Sequence, residues 1–257
     1  MNRQSQAAVL FLLGAALLHA GTTDLYLRYV KAGLRPLLLA SGAVLIVTAL
    51  ATAWYERRRA KGEGEVHGDK DVHGNRDVHG EEDSPGHTHP EPRVSWLLVL
   101  PLLALILVAP PALGSYSATR TGTALQEPLA YPALPATDPL PLGLVDYAGR
   151  AVYDHGRGLT GRRVQLTGFV ALEHDGTPYL VRMALNCCAA DAQPVKVALT
   201  GDIPPVLQPD TWLTVTGTYV PRQSRDPVNN GPIPFLEVTA AKPTPEPRDP
   251  YDESYNN

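Results

Sequence analysis

Three runs without a charged residue constrain this chain more than any other feature. Pro36 to Tyr55 (PLLLASGAVLIVTALATAWY) is uncharged over about twenty residues, the length that crosses the ~30 Å hydrocarbon core as a helix. Ser95 to Gly114 (SWLLVLPLLALILVAPPALG) is likewise uncharged and opens on Trp96, an aromatic suited to the lipid–water boundary. Ala7 to Ala20 is shorter, with Arg3 before it and Asp24 after it. It reads as a first span whose polar ends reach the interface. A cleaved secretory signal is the alternative, although no A-x-A-like site follows. The net charge of −4 over 257 residues averages two unlike parts, an apolar, membrane-like one and a later one with alternating strand patterns.

Basic residues beside spans stay on the cytoplasmic face. Arg57, Arg58, Arg59 and Lys61 follow the second run directly, which orients the chain; Arg28, Lys31 and Arg35 in the preceding turn weaken the contrast, accompanied by Asp24. The expected arrangement is a multi-pass cell-membrane protein in contact with lipid. Two transmembrane helices occupy 1–55, a cytoplasmic loop 56–94 and a third transmembrane helix 95–114, so that everything after it lies outside. Loss of the first segment would leave that outer placement unchanged. His19 and Asp24 fall at a span end, where interfacial placement competes with contact to a membrane partner.

The 56–94 loop carries a six-residue V-H-G repeat that spaces His67, His73 and His79 evenly, with His87 and His89 beyond. Imidazoles among carboxylates suit Zn, Ni, Cu or Co ions. With too few apolar residues to build a core, the loop is expected to be disordered and any site in it weak. A solvated linker whose histidines have no role is the equal alternative.

Residues 115–150 are rich in proline, which fixes φ and removes backbone donors, so the expectation is a semi-rigid extracytoplasmic linker. From 151 to 251 the pattern changes. Val164, Leu166, Gly168 and Val170 alternate on one face, as do Tyr179, Val181, Met183 and Leu185, and then Val195, Val197 and Leu199; WLTVTGTYV and PFLEVTA follow. Period-two alternation punctuated by Gly, Pro and Asp argues for half-buried antiparallel strands. Five such strands suggest an all-β C-terminal domain, an OB-like small barrel, with the mid-strand glycines Gly168 and Gly217 at bends or bulges. A five-stranded sandwich is the alternative, and 252–257 is a tail. Nucleic acid is excluded as a partner, because the domain has neither a basic excess nor an aromatic ladder.

Both cysteines of the chain, Cys187 and Cys188, are adjacent, with Asp191 three residues on. Neighbouring cysteines close a disulfide only through a strained ring, and no third cysteine offers a long-range bridge. Two thiols and a carboxylate can supply three ligands to a divalent ion such as zinc, with His174 or His155 as a fourth. The plainer reading is a pair of small packing residues at a strand end. A thiol enzyme or redox sensor ranks below metal binding, because the nearest charge, Asp191, raises a thiol pKa.

The segments GRRVQLTGFV, RMALNCCAADAQPVKV, DTWLTVTGTYVP and PTPEPRDPY resemble the extracytoplasmic domain of the YcgQ-like permease-subunit family, bacterial proteins with an amino-terminal membrane part. The resemblance covers about 155 to 251. It implies a multi-span permease as partner and a link to metal homeostasis, and it places the family's motif on Cys187, Cys188, Ala190, Asp191 and Ala192, with Trp212 and Gly217 structural. The expected function is a non-enzymatic accessory subunit of a membrane permease, its outer domain binding or sensing a metal ion; a thiol redox protein and a structural tether are the alternatives.

Overall fold

The computed structural model describes residues 3–64 and 111–253. The His-rich loop, with His67, His73, His79, His87 and His89, and the third apolar run up to residue 110 lie outside them. The described residues divide into two compact units, one of 3–23 with 36–64 and one of 24–35 with 111–253.

In the first unit, α1 (Arg3–Thr22) packs against α2 (Arg35–Gly64) through small residues. A Cβ at Gly14 would lie 2.8 Å from the Gly42 carbonyl oxygen and 2.7 Å from Ile46, so the backbones approach as only glycine permits. Ser41, Thr48 and Thr52 donate their hydroxyls to carbonyls four residues back, which removes the polar cost of carrying them in an apolar helix. Among the described residues one helix, Ala32–Arg59, is long and apolar enough to cross a membrane, while the apolar part of α1, Gln6–Thr22, is shorter. The helix continues past the expected span end at Tyr55 through the arginine cluster, where Arg58 stacks on Trp54 at 3.8 Å.

The second unit is a closed five-stranded barrel. Its strands are β2 (Arg163–Leu172), β3 (Pro178–Leu185), β4 (Gln193–Gly201), β5 (Trp212–Arg225) and β6 (Pro232–Pro243). They pair in the order β2-β5-β6-β4-β3, and β2 also pairs with β3, which closes the ring and rules out the sandwich. Only β4–β6 is parallel. Gly217 sits at a register shift between β5 and β6, the bulge expected of a mid-strand glycine.

The barrel interior takes Val164, Leu166 and Val170 from β2 and Val195, Val197 and Leu199 from β4. On β3 the alternating apolar set faces the other way. Tyr179, Val181, Met183 and Leu185 point away from the interior into a second cluster with Phe169, Ile233 and Tyr251, and Leu180 points inward. The reason is cover. Ala118 of α3 (Ser115–Arg120) and Tyr251 of β7 (Tyr251–Glu253) bury the outside of β3, so both its faces are apolar and alternation alone cannot identify the inner one.

The proline-rich segment is not a spacer. Leu125 and Leu140 join the barrel core, β1 (Leu140–Pro141) pairs in parallel with β2, and Ala124 N–H donates to the Pro194 carbonyl at 2.9 Å. Proline removes donors but leaves carbonyls, and here these accept from buried or nearby arginines, Pro132 from Arg150 and Pro135 from Arg162. The segment therefore wraps the barrel as a strap. It ends in α4 (Leu144–Val152), almost wholly buried and in contact with all five barrel strands, so the domain extends well before residue 151. The Tyr147 hydroxyl donates to the Phe235 carbonyl at 2.7 Å, and burial pushes its phenol far above the ordinary range. The expected third span at 95–114 ends too late, because its last residues belong to the barrel's unit: Leu113 packs on the second cluster and its N–H donates to the Tyr251 hydroxyl at 3.2 Å, and Ser115 N–H donates to Asp210 at 2.6 Å.

One charged pair lies inside this arrangement. Lys196, on the outer face of β4, is 2.7 Å from Asp226, with side chains 1% and 0% exposed. Asp226 also accepts from the Thr123 and Val228 amides at 2.9 Å, joining strap, strand and the β5–β6 turn. Removing one member of such a pair strands a buried charge, at a cost of about 3–5 kcal/mol. Asp226→Ala should therefore lower the denaturation midpoint of the detergent-solubilised chain far more than Lys196→Met, which leaves the carboxylate its two amide donors. Equal, small shifts would contradict a structural role for the pair.

Candidate metal centre

β3 ends at Leu185, and the chain then turns through a single 3-10 turn, Ala189–Asp191, before β4. Asp191 organises that turn. Its Oδ2 accepts the Cys187 N–H at 2.9 Å and the Cys187 thiol at 3.0 Å; its Oδ1 accepts the Asn186 N–H at 3.2 Å and the Cys188 N–H at 3.4 Å. Cys188, extended at φ −153°, takes the N-cap position; its amide donates to the Asp191 carboxylate, and the Asp191 amide donates to its carbonyl at 3.0 Å. This is a capping box with cysteine in place of serine or threonine. The three-residue offset between Cys188 and Asp191 thus has a structural cause. Sequence reasoning missed it, although the offset is that of the S/T-x-x-E signal.

Capping does not explain Cys187, which is exposed beside a half-buried Cys188; both are free thiols. One donor atom from each of Cys187, Cys188 and Asp191 lies within 4.8 Å of the others. Tetrahedral zinc with bonds of ~2.0–2.3 Å needs its donors about 3.3–3.8 Å apart, so small rotations of these side chains would close a three-donor S2O site and leave a fourth position open. Neither suggested histidine joins the group among the described residues. His174, in the β2–β3 turn, lies beside Glu173 at 3.2 Å and is 95% exposed, and His155 occupies a left-handed turn after α4 at φ 51°.

The electrostatics follow from the same bonds. Hydrogen bonding to Asp191, then to Cys188, pushes the Cys187 thiol up from 9.0 to about 11. For Asp191, burial acts to raise the pKa, but the bonds from the Cys187 thiol and the three backbone amides outweigh it and hold the carboxyl below its usual range. The group at rest is a neutral thiol leaning on a carboxylate, a poor nucleophile. It is also a ready ligand set for an ion able to displace the proton.

A second segment completes the site. Residues 24–35, which lie between α1 and α2 in the chain, belong to the barrel's compact unit. Val30 forms an antiparallel bridge with Cys188; Lys31 N–H donates to the Cys187 carbonyl at 3.1 Å and Ala189 N–H to the Tyr29 carbonyl at 2.7 Å. Tyr26 and Leu27 are buried, and Asp24 pairs with Arg248. Asp24 is therefore engaged within the chain. Nothing in the composition of this short turn signalled that it docks on the cysteine loop, because the contact runs through backbone groups.

Residues 148–252 match the family model described as the DUF1980 C-terminal domain, a range that includes the whole barrel and the cysteine loop. No curated protein and no solved structure matches the chain. The match assigns residues 148–252 to a DUF1980 C-terminal domain.

Proposed function

We propose that the chain is a non-enzymatic accessory subunit of a membrane permease, with an OB-like barrel outside the cell that captures or senses a divalent metal ion through Cys187, Cys188 and Asp191. The convergence of these three donors within 4.8 Å carries the metal reading. The permease reading rests on the resemblance and on helix count, since a transport pathway is ordinarily built from repeats of several helices. Orientation rests on charge and connectivity. Segment 24–35 shares a compact unit with the barrel, so the two lie on one side of any bilayer that α2 crosses, and Arg57, Arg58 and Arg59 lie at the opposite end of that helix. A His-rich cytoplasmic loop would then face the other compartment as a loose second ligand tract.

The metal content of the full-length protein purified in detergent, compared with Cys187→Ala/Cys188→Ala, tests the capture reading directly. Stoichiometric zinc in the unaltered chain and its loss in the variant are expected; equal content in both would refute it. Zinc must also expel the Cys187 proton, because a thiol with a pKa of about 11 remains protonated at neutral pH. Apparent zinc affinity should therefore rise roughly tenfold or more per unit from about pH 6 to about pH 8, and weaken in the same proportion on acidification. A flat profile would show that Cys187 is not a ligand.

The redox alternative is opposed by that same raised thiol pKa. Relative to a thiol of pKa 9.0, one at about 11 has a hundredfold smaller thiolate fraction. Higher nucleophilicity recovers about tenfold of the loss, which leaves a net slowing of roughly tenfold. In a Cys188→Ser background, Asp191→Asn should accelerate Cys187 alkylation by about that factor at neutral pH. Unchanged or slower alkylation would mean that the carboxylate does not restrain the thiol.

A further inference from the structure

The segment between α1 and α2 has no role in the capture reading as such, yet it is bonded to the backbone of the two cysteines themselves. The pattern is that of a non-hydrogen-bonded antiparallel pair: Val30 and Cys188 face one another, and the flanking residues exchange the bonds, Lys31 N–H to Cys187 and Ala189 N–H to Tyr29. In such a pair the Cα atoms are about 4.5 Å apart and the two side chains share a face. Val30 therefore lies against Cys188, which is half-buried, and Cys187 remains open to solvent. The two bonds also fix the peptide groups on either side of Cys188, and with them the backbone from which both cysteine side chains project.

We infer that segment 24–35 is a clamp on the candidate metal centre: its docked form holds Cys187, Cys188 and Asp191 ready for a metal ion, and occupancy of the centre in turn tightens the docking. The inference rests on the capture reading and adds its regulation. Coupling of this kind is reciprocal, so a change that loosens the clamp lowers metal affinity by the factor by which the metal strengthens the clamp. The segment leads in the chain to α2, which begins at Arg35. Its other attachments are of unequal weight. Tyr26 and Leu27 are buried, whereas the Asp24–Arg248 pair is largely exposed and so contributes little.

Lys31 offers a clean test, because its backbone already has proline geometry, φ −56° and ψ 141°. Lys31→Pro would remove the one donor to Cys187 without forcing a new φ, and Val30 before it sits in an antiparallel bridge, where backbone is ordinarily extended as a following proline demands. Lys31→Ala removes the same side chain and keeps the donor. In zinc titrations of the full-length protein in detergent, Lys31→Pro should bind roughly three- to tenfold more weakly than the unaltered chain, and Lys31→Ala within about twofold of it, the range expected for one backbone hydrogen bond. In the unaltered chain, zinc should slow hydrogen exchange at the Ala189 amide by a comparable factor. That second measurement decides the matter if Lys31→Pro does not fold. Equal affinity in both variants, or Ala189 exchange indifferent to zinc, would overturn the clamp while leaving capture intact. Failure of the unaltered chain to bind zinc would remove capture and clamp together.

Discussion

The carboxylate of Asp191 is the point on which this end of the barrel depends. It gathers three consecutive amides and one thiol into a turn that would otherwise leave β3 with unpaired donors beyond its last residue. An ionised acceptor in such a position is worth more than a neutral one, because each bond is charge-assisted. Its ionisation and the raised thiol pKa of Cys187 are two consequences of the same geometry. The turn and the candidate ligand set are therefore one object.

The barrel owes its closure to alternation that was plain in the sequence. Val164, Leu166 and Val170, and likewise Val195, Val197 and Leu199, point inward as their spacing demands, and Gly217 marks a bulge. β3 shows where that logic ends. Its more apolar face is the outer one, because residues far away in the chain, Ala118 and Tyr251, cover it. Periodicity reports that a face is buried, and it cannot report by what.

The proline-rich segment failed as a linker for a related reason. Proline argues correctly against helix or central strand, and most of 116–142 is neither. Absence of regular structure is a different property from absence of contact. Leu125, Leu134 and Leu140 are apolar enough to lie on a barrel, and the carbonyls between them are acceptors that Arg150 and Arg162 fill. The docking of 24–35 was less legible still. Its register is set by two backbone hydrogen bonds, and backbone groups have no sequence signature.

These attachments also bear on how a domain of this kind could act beside a membrane. A barrel on a long flexible tether would experience ligand binding without transmitting it. Here the chain is gripped by the barrel at Leu113 and Ser115, at the end of one apolar run, and again at Tyr29 to Lys31, shortly before another. Only Ala32 to Arg35 separate the docked backbone from the uncharged run that begins at Pro36. Four residues reach at most about 14 Å when fully extended. The docked backbone and that run are thus joined by only a short stretch of chain.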